Sequence, residues 1–153
     1  MLEAMMFAKV GDDVWEEDFT VKKLEEKLAG MFGFDSGLFC PSGTMTNQIA
    51  IRVHTKMGDQ IICESSSHIY NYEGGGAASN SGVSIKLIEG DCGRISLDQI
   101  KYSINPDDPH YPNTKLISLE NTSNKGGGSC YSLDEILKIS EFCRKNKLGI
   151  HLD

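Results

Sequence analysis

Three short stretches of this chain carry residue types capable of chemistry. Pro41-Ser42-Gly43-Thr44 precedes a helical pattern. Glycine there lets a ligand approach the backbone, and the free N–H groups of a first helical turn attract an anion. A phosphate would fit, with the Ser42 and Thr44 hydroxyls as further donors; the plainer reading is an N-cap in a turn. His68 sits in Ser66-Ser67-His68-Ile69-Tyr70-Asn71-Tyr72-Glu73. If that segment is helical, His68 and Tyr72 share one face at i, i+4 spacing, and Ile69 and Glu73 share the next. An imidazole so placed either stacks on a flat ring or moves a proton near neutral pH, or it is a structural hydrogen-bonding residue. Asp153 ends the apolar run Gly149-Ile150-His151-Leu152. Burying that carboxylate is costly unless a cation or donors meet it, and a protonated pyridine nitrogen would do so.

A phosphate at a helix start, a ring-stacking imidazole and a strand-end aspartate are together the parts needed to hold pyridoxal 5'-phosphate. Its cationic ring serves as an electron sink for a carbanion at an amino acid's α-carbon. Other candidates read more plainly. His110, in Asp107-Asp108-Pro109-His110-Tyr111-Pro112, reads as a surface-loop residue, and His151 as a packed strand residue. Asp13 either caps a turn or faces a site; Trp15 is either partly buried core or a subunit contact. No G-x-x-x-x-G-K-[ST] loop is present. Gly74-Gly75-Gly76-Ala77-Ala78-Ser79 is not a dinucleotide fingerprint, because it lacks the third glycine and does not directly follow a strand. It reads as a tight chain passage or a flexible one.

The elements that must position these residues alternate. A helix with Val21, Leu24, Leu28 and Met31 on one stripe is expected after a Thr20 cap, with Gly33 as its stop. A short strand over residues 37–40 leads into a second helix carrying Met45, Ile49, Ala50 and Val53 on one side. Strands are expected at residues 60–63, 83–88, 116–119 and 149–153, with an amphipathic helix over 133–145. Apolar strands separated by helices predict an α/β fold: a mostly parallel sheet covered by helices on both faces. Ligands in such folds gather at the carboxyl ends of the strands. The polar clusters Ser42-Gly43-Thr44, residues 64–68, Glu120-Asn121-Thr122 and Asp153 fall there.

At 153 residues, the length predicts a single domain. A net charge of −7 argues against a nucleic-acid surface, and no apolar run of membrane-spanning length exists. The start of the chain is too short and too soon charged for a secretory signal. The five cysteines show no C-x-x-C pair or zinc-like spacing, so buried or half-buried free thiols in a reducing cytosol are expected. No metal site is expected.

Several segments together resemble one family in order along the chain. They are Val10-Gly11-Asp12-Asp13-Val14, residues 41–48, Ser67-His68-Ile69-Tyr70, Tyr72-Glu73-Gly74-Gly75, Leu119-Glu120-Asn121-Thr122, Gly126-Gly127-Gly128 and His151-Leu152-Asp153. The chain is similar to the low-specificity L-threonine aldolases. The resemblance implies the aspartate-aminotransferase-like (fold type I) large domain, pyridoxal phosphate, and cleavage of L-threonine or L-allo-threonine to glycine and acetaldehyde. It implies that Ser42, Gly43 and Thr44 bind the phosphate, His68 stacks on the ring and Asp153 pairs with its nitrogen. His68 and His110 would lie near the substrate's β-hydroxyl, with Tyr72 and Glu73 beside the site and Glu73 a candidate base. A cytoplasmic homo-oligomer, a dimer of dimers, is implied as well.

Two departures stand out. Where the family commonly has Glu-Asn-Thr-His-Asn, this chain has Ser123. None of its lysines fits the Schiff-base role, which the resemblance places beyond Asp153. The expectation is therefore a partial, single-domain chain that is inactive by itself. A non-catalytic binding module on the same fold, or another pyridoxal-phosphate lyase, are the alternatives.

Overall fold

The computed structural model describes all residues, Met1–Asp153. They fall into two compact units, Met1–Pro41 and Ser42–Asp153. The first holds a short helix α1 (Leu2–Met6), a 3-10 turn at Asp13–Trp15 and the helix α2 (Phe19–Phe32). Asp18, not Thr20, caps α2, because its carboxylate accepts from the amides of both Thr20 and Val21. Those bonds, with one from the Gly11 amide, hold the Asp18 carboxyl below its usual range. Gly33, in the left-handed region, stops the helix as expected. The strand expected over residues 37–40 does not form. No neighbouring strand pairs with it, and the Phe39 amide instead donates to the Glu25 carboxylate.

The second unit contains α3 (Gly43–His54), β1 (Gln60–Glu64), α4 (His68–Asn71), α5 (Gly76–Ser81) and β2 (Ser84–Ile88). After these come α6 (Leu97–Ser103), β3 (Thr114–Leu119), α7 (Leu133–Lys145) and β4 (Gly149–Leu152). The strands form one parallel sheet in the order β2-β1-β3-β4. The central strands β1 and β3 are apolar runs, and both their faces are covered. Side-chain alternation explains the two cores. Ile62, Ile117 and Leu119 pack with Ile100, Ile139 and Cys143 on one face. Ile61, Cys63 and Leu116 pack with Ile51, Ile69 and Ala77 on the other. No helix is long and apolar enough to cross a membrane.

Caps place the helices. Ser96 with Gln99 and Ser132 with Glu135 form capping boxes that start α6 and α7. Gly74 and Gly75 take positive φ in a turn that opens directly into α5, so the glycine run is an ordered helix entry. The α3 face turned inward is Asn47 and Ile51; Met45 and Val53, expected on the packed side, are exposed. Apolar spacing alone missed this because a polar residue occupies the buried stripe.

The thiols are unpaired. Burial pushes Cys63 up to about 12 and Cys143 to about 11. Cys92 and Cys130 are exposed, contrary to the expectation of buried or half-buried thiols, because both lie in the turns between β2 and α6 and between β3 and α7.

Candidate active site

A cleft of about 280 Å³ opens at the carboxyl ends of the strands, near the lower end of the range for small-molecule sites. Gly43, Thr44 and Asn47 from the start of α3 line it, with His68 from α4, Glu120, Asn121 and Thr122 after β3, and Asp153 after β4. A parallel sheet delivers strand ends to one edge, so residues far apart in sequence converge there.

At α3 the N-cap Ser42 hydroxyl accepts from the Met45 amide at 3.2 Å, and the Ser42 carbonyl from Thr46 at 3.2 Å. Of the four amides a helix start leaves without internal partners, those of Gly43 and Thr44 remain free at the cleft. A Cβ built on Gly43 would meet nothing within 4 Å, so that approach is open to a ligand. Free amides at the positive end of a helix are an anion site. Ser42 serves chiefly as the cap that exposes them.

His68 is fixed twice. Its backbone amide donates to Glu120 Oε2 at 2.9 Å, while Glu120 Oε1 accepts from the Asn124 amide at 2.8 Å. Its ring Nδ1 lies 3.0 Å from Glu73 Oε1. Tyr72 caps α4, with its ring centroid 5.5 Å from that of His68, as the i, i+4 spacing anticipated. Lys125 Nζ sits over the Tyr72 ring, 5.2 Å from the centroid, a cation–π contact. Asp153 is held by its backbone, its amide donating to Leu119 and its carbonyl accepting from Asn121, which leaves the carboxylate unpaired at the cleft. Ligand atoms of His68, Glu73 and Asp153 lie within 4.8 Å of one another.

Glu73 is buried, and its carboxylate accepts from Asn47 and Gln48 and lies 3.0 Å from His68 Nδ1. Those contacts occupy most of its lone pairs. It therefore stands behind His68, not as a free base or a metal ligand. His151 lies half-buried on β4, its Nε2 2.8 Å from Asn47 Oδ1. Burial holds its pKa below the usual imidazole value, with nearby His54 acting in the same direction and the carboxylates of Asp153 and Glu73 against it.

His110 is not brought to the cleft. It precedes β3, at the opposite edge of the sheet, in an exposed turn where its Nδ1 pairs with Asp108 at 2.8 Å. Ser123 does not line the cleft either; it is buried, and its hydroxyl accepts from the Gly126 amide at 3.2 Å. Asn47, Gln48 and Glu120 fall inside the quoted motifs, but the sequence assigned them no role. The available signal was a polar residue four positions before Ile51 on a packed helix face.

The residues fit pyridoxal phosphate: an anion site with free donors, an unpaired carboxylate, and an imidazole at one small cleft. A larger cleft, about 510 Å³, lies within the first unit, where Asp18 already serves the α2 cap.

Comparison with known proteins agrees with this geometry. The low specificity L-threonine aldolase of Escherichia coli K12 is 38% identical over 154 residues, covering 100% of this chain and 45% of that protein. The chain thus spans about half the length of the curated relatives it matches. Among solved structures, a putative L-allo-threonine aldolase of Listeria monocytogenes superposes with a TM-score of 0.79 at 27% identity, over 99% of this chain and 42% of that one. An Escherichia coli aminotransferase, at 22% identity and a TM-score of 0.57 over 72% of this chain and 26% of that one, shares the fold. The fold is the aspartate-aminotransferase-like type I architecture. The beta-eliminating lyase family model matches residues 1–153, end to end, and with the cleft built as described, the chain belongs to that family.

Proposed function

We propose that this chain forms the cofactor-binding part of a pyridoxal-phosphate enzyme cleaving L-threonine or L-allo-threonine to glycine and acetaldehyde. The observation that carries this reading is the convergence on one cleft of the free Gly43 and Thr44 amides, the His68 ring and the unpaired Asp153 carboxylate. Pyridoxal phosphate, when bound, supplies a sink for the electron pair left at the α-carbon as the Cα–Cβ bond breaks. Gly43 and Thr44 would hold the phosphate, with the Thr44 hydroxyl as a further donor. Asp153 would accept the hydrogen bond of the ring nitrogen and keep its proton in place.

His68 would lie on the ring face, with Nδ1 committed to Glu73 and Nε2 left for the substrate. There it accepts the β-hydroxyl proton, whose loss starts the retro-aldol cleavage. Glu120 and Glu73 hold this imidazole from backbone and ring, and Tyr72 lies beside it in a tilted ring contact.

No lysine lines the cleft. The 153 residues are therefore expected to bind the cofactor without covalent capture, and cleavage to require an amine from beyond these groups. That same observation favours, as a second reading, a non-catalytic module that binds the phosphate compound. The reading also takes the protein to be cytoplasmic and homo-oligomeric. Unpaired thiols support the first inference, and exposed apolar side chains such as Trp15, Phe32 and Phe34 support the second.

The test is to supply purified protein carrying this chain with pyridoxal phosphate and L-threonine or L-allo-threonine. Equimolar glycine and acetaldehyde are expected. Formation of 2-oxobutanoate and ammonia without glycine would replace aldol cleavage with β-elimination. Saturable cofactor binding without turnover would favour the binding module.

A further inference from the structure

Behind His68 lies a set of hydrogen bonds whose directions are fixed by one buried carboxylate. Glu73, its side chain wholly buried, accepts from Asn47 Nδ2 at 2.9 Å, from Gln48 Nε2, and faces His68 Nδ1 at 3.0 Å. An ionised carboxylate only accepts, so each carboxamide must turn its NH2 toward it. The oxygens then face outward. Gln48 Oε1 accepts from Asn80 Nδ2 at 3.2 Å, and Asn47 Oδ1 faces His151 Nε2 at 2.8 Å. That last contact requires a proton on His151 Nε2, and the Glu73 contact requires one on His68 Nδ1.

Every bond in both arms therefore points toward Glu73: Asn80 to Gln48 to Glu73, and His151 to Asn47 to Glu73. Reversing either amide would set oxygen against oxygen, an unpaired buried arrangement that costs about 1–3 kcal/mol. Gly76 is part of the device. A Cβ there would stand 2.6 Å from the Gln48 carboxamide carbon, so a larger residue would push that side chain aside.

We infer that Glu73, its carboxylate aimed by Asn47 and Gln48, is the positioning residue that holds the neutral His68 ring as its Nδ1–H tautomer and leaves the Nε2 lone pair at the cleft. This deepens the proposed function of the same site, since only that tautomer can accept a substrate proton at Nε2. The tautomer itself does not depend on the cofactor.

The test reads it directly. Long-range 1H–15N NMR of the histidine-labelled full chain, near pH 8 where an ordinary imidazole is neutral, assigns the protonated nitrogen of each ring. The expected native result is Nδ1–H for His68 and Nε2–H for His151. Glu73→Leu removes the acceptor and offers no other, so His68 should lose its Nδ1–H preference and read predominantly Nε2–H. His151→Phe, which leaves the Glu73 carboxylate in place, should keep Nδ1–H on His68.

A native His68 protonated on Nε2, or a His68 pattern indifferent to Glu73→Leu in a folded chain, would overturn the inference. Should Glu73→Leu fail to fold, the native assignment still decides. Titration of the same samples with pyridoxal phosphate separates the two claims. Native tautomers as expected with no cofactor binding would remove the proposed function and leave the positioning network standing.

Discussion

The chain contains two histidine–carboxylate pairs of nearly equal length and opposite setting. His68 and Glu73 meet at 3.0 Å with the carboxylate side chain 0% exposed; His110 and Asp108 meet at 2.8 Å with the imidazole 88% exposed. The first lies at the carboxyl edge of the sheet, behind the cleft. The second precedes β3, at the amino edge, in a turn made by the same residues that pair. Distance alone does not distinguish them. What differs is that water competes for His110 from every side, whereas Glu73 is closed off and shared among three donors. A pair that water can replace fixes little; one whose carboxylate water cannot reach fixes a ring, a tautomer and its neighbours.

The largest expected effect of breaking this contrast is on turnover. In the cofactor-loaded enzyme, His68→Ala is expected to lower kcat/KM by about 10²–10⁴-fold, the usual worth of a positioned proton-transfer group. His110→Ala should leave kcat/KM unchanged within error. Equal losses from the two would dissolve the contrast.

Next in size is stability. Glu73→Ala orphans buried donors on Asn47 and Gln48, at about 1–3 kcal/mol for each group left unpaired. Urea unfolding should show that loss, while Asp108→Ala should leave the midpoint in place.

A smaller effect concerns His151, whose pKa burial holds below the usual value of about 6.5. Below about 6.5 the unfolded chain binds a proton that the folded chain resists. Stability is thus fully present above that pH and falls as pH drops toward the lower folded value. His151→Gln should flatten this part of the stability profile; an unchanged slope would show that other groups cause it. Smallest is a chemical contrast. At neutral pH a thiol reagent should modify Cys92 and Cys130 and spare Cys63 and Cys143 until urea is added, since burial pushes the latter two to about 12 and about 11.

Much of the second unit was legible in sequence because its strands are dense apolar runs and its long helices begin on serine caps. The expected helix over 133–145 is α7 residue for residue, and all four of these expected strands form. The short helices α5 and α6 were missed, one behind a glycine turn and the other too brief for a clear periodicity. In the first unit the expected apolar stripe of α2 is largely exposed, only Ala29 of the helix being buried. Periodicity shows that a face is apolar but not what covers it.

At the site, Ser42-Gly43-Thr44, His68 and Asp153 were visible because unusual residue types sit at the ends of regular elements. Asn47 and Gln48 were not, since their roles arise from a carboxylate 25 or more residues away. His110 read from its own turn-rich neighbours as a surface-loop histidine, and so the structure has it; the resemblance alone set it near the substrate. The strand direction puts it at the opposite edge of the sheet.

The most direct measurement is a titration of the 153-residue chain and its variants with pyridoxal phosphate, followed by absorbance and equilibrium dialysis. Saturable binding of one cofactor per chain is expected, weakened by Asp153→Ala and unaffected by His110→Ala. Binding that Asp153→Ala spares, or no saturable binding by a folded chain, would contradict the assignment of the carboxyl-edge cleft as the cofactor site.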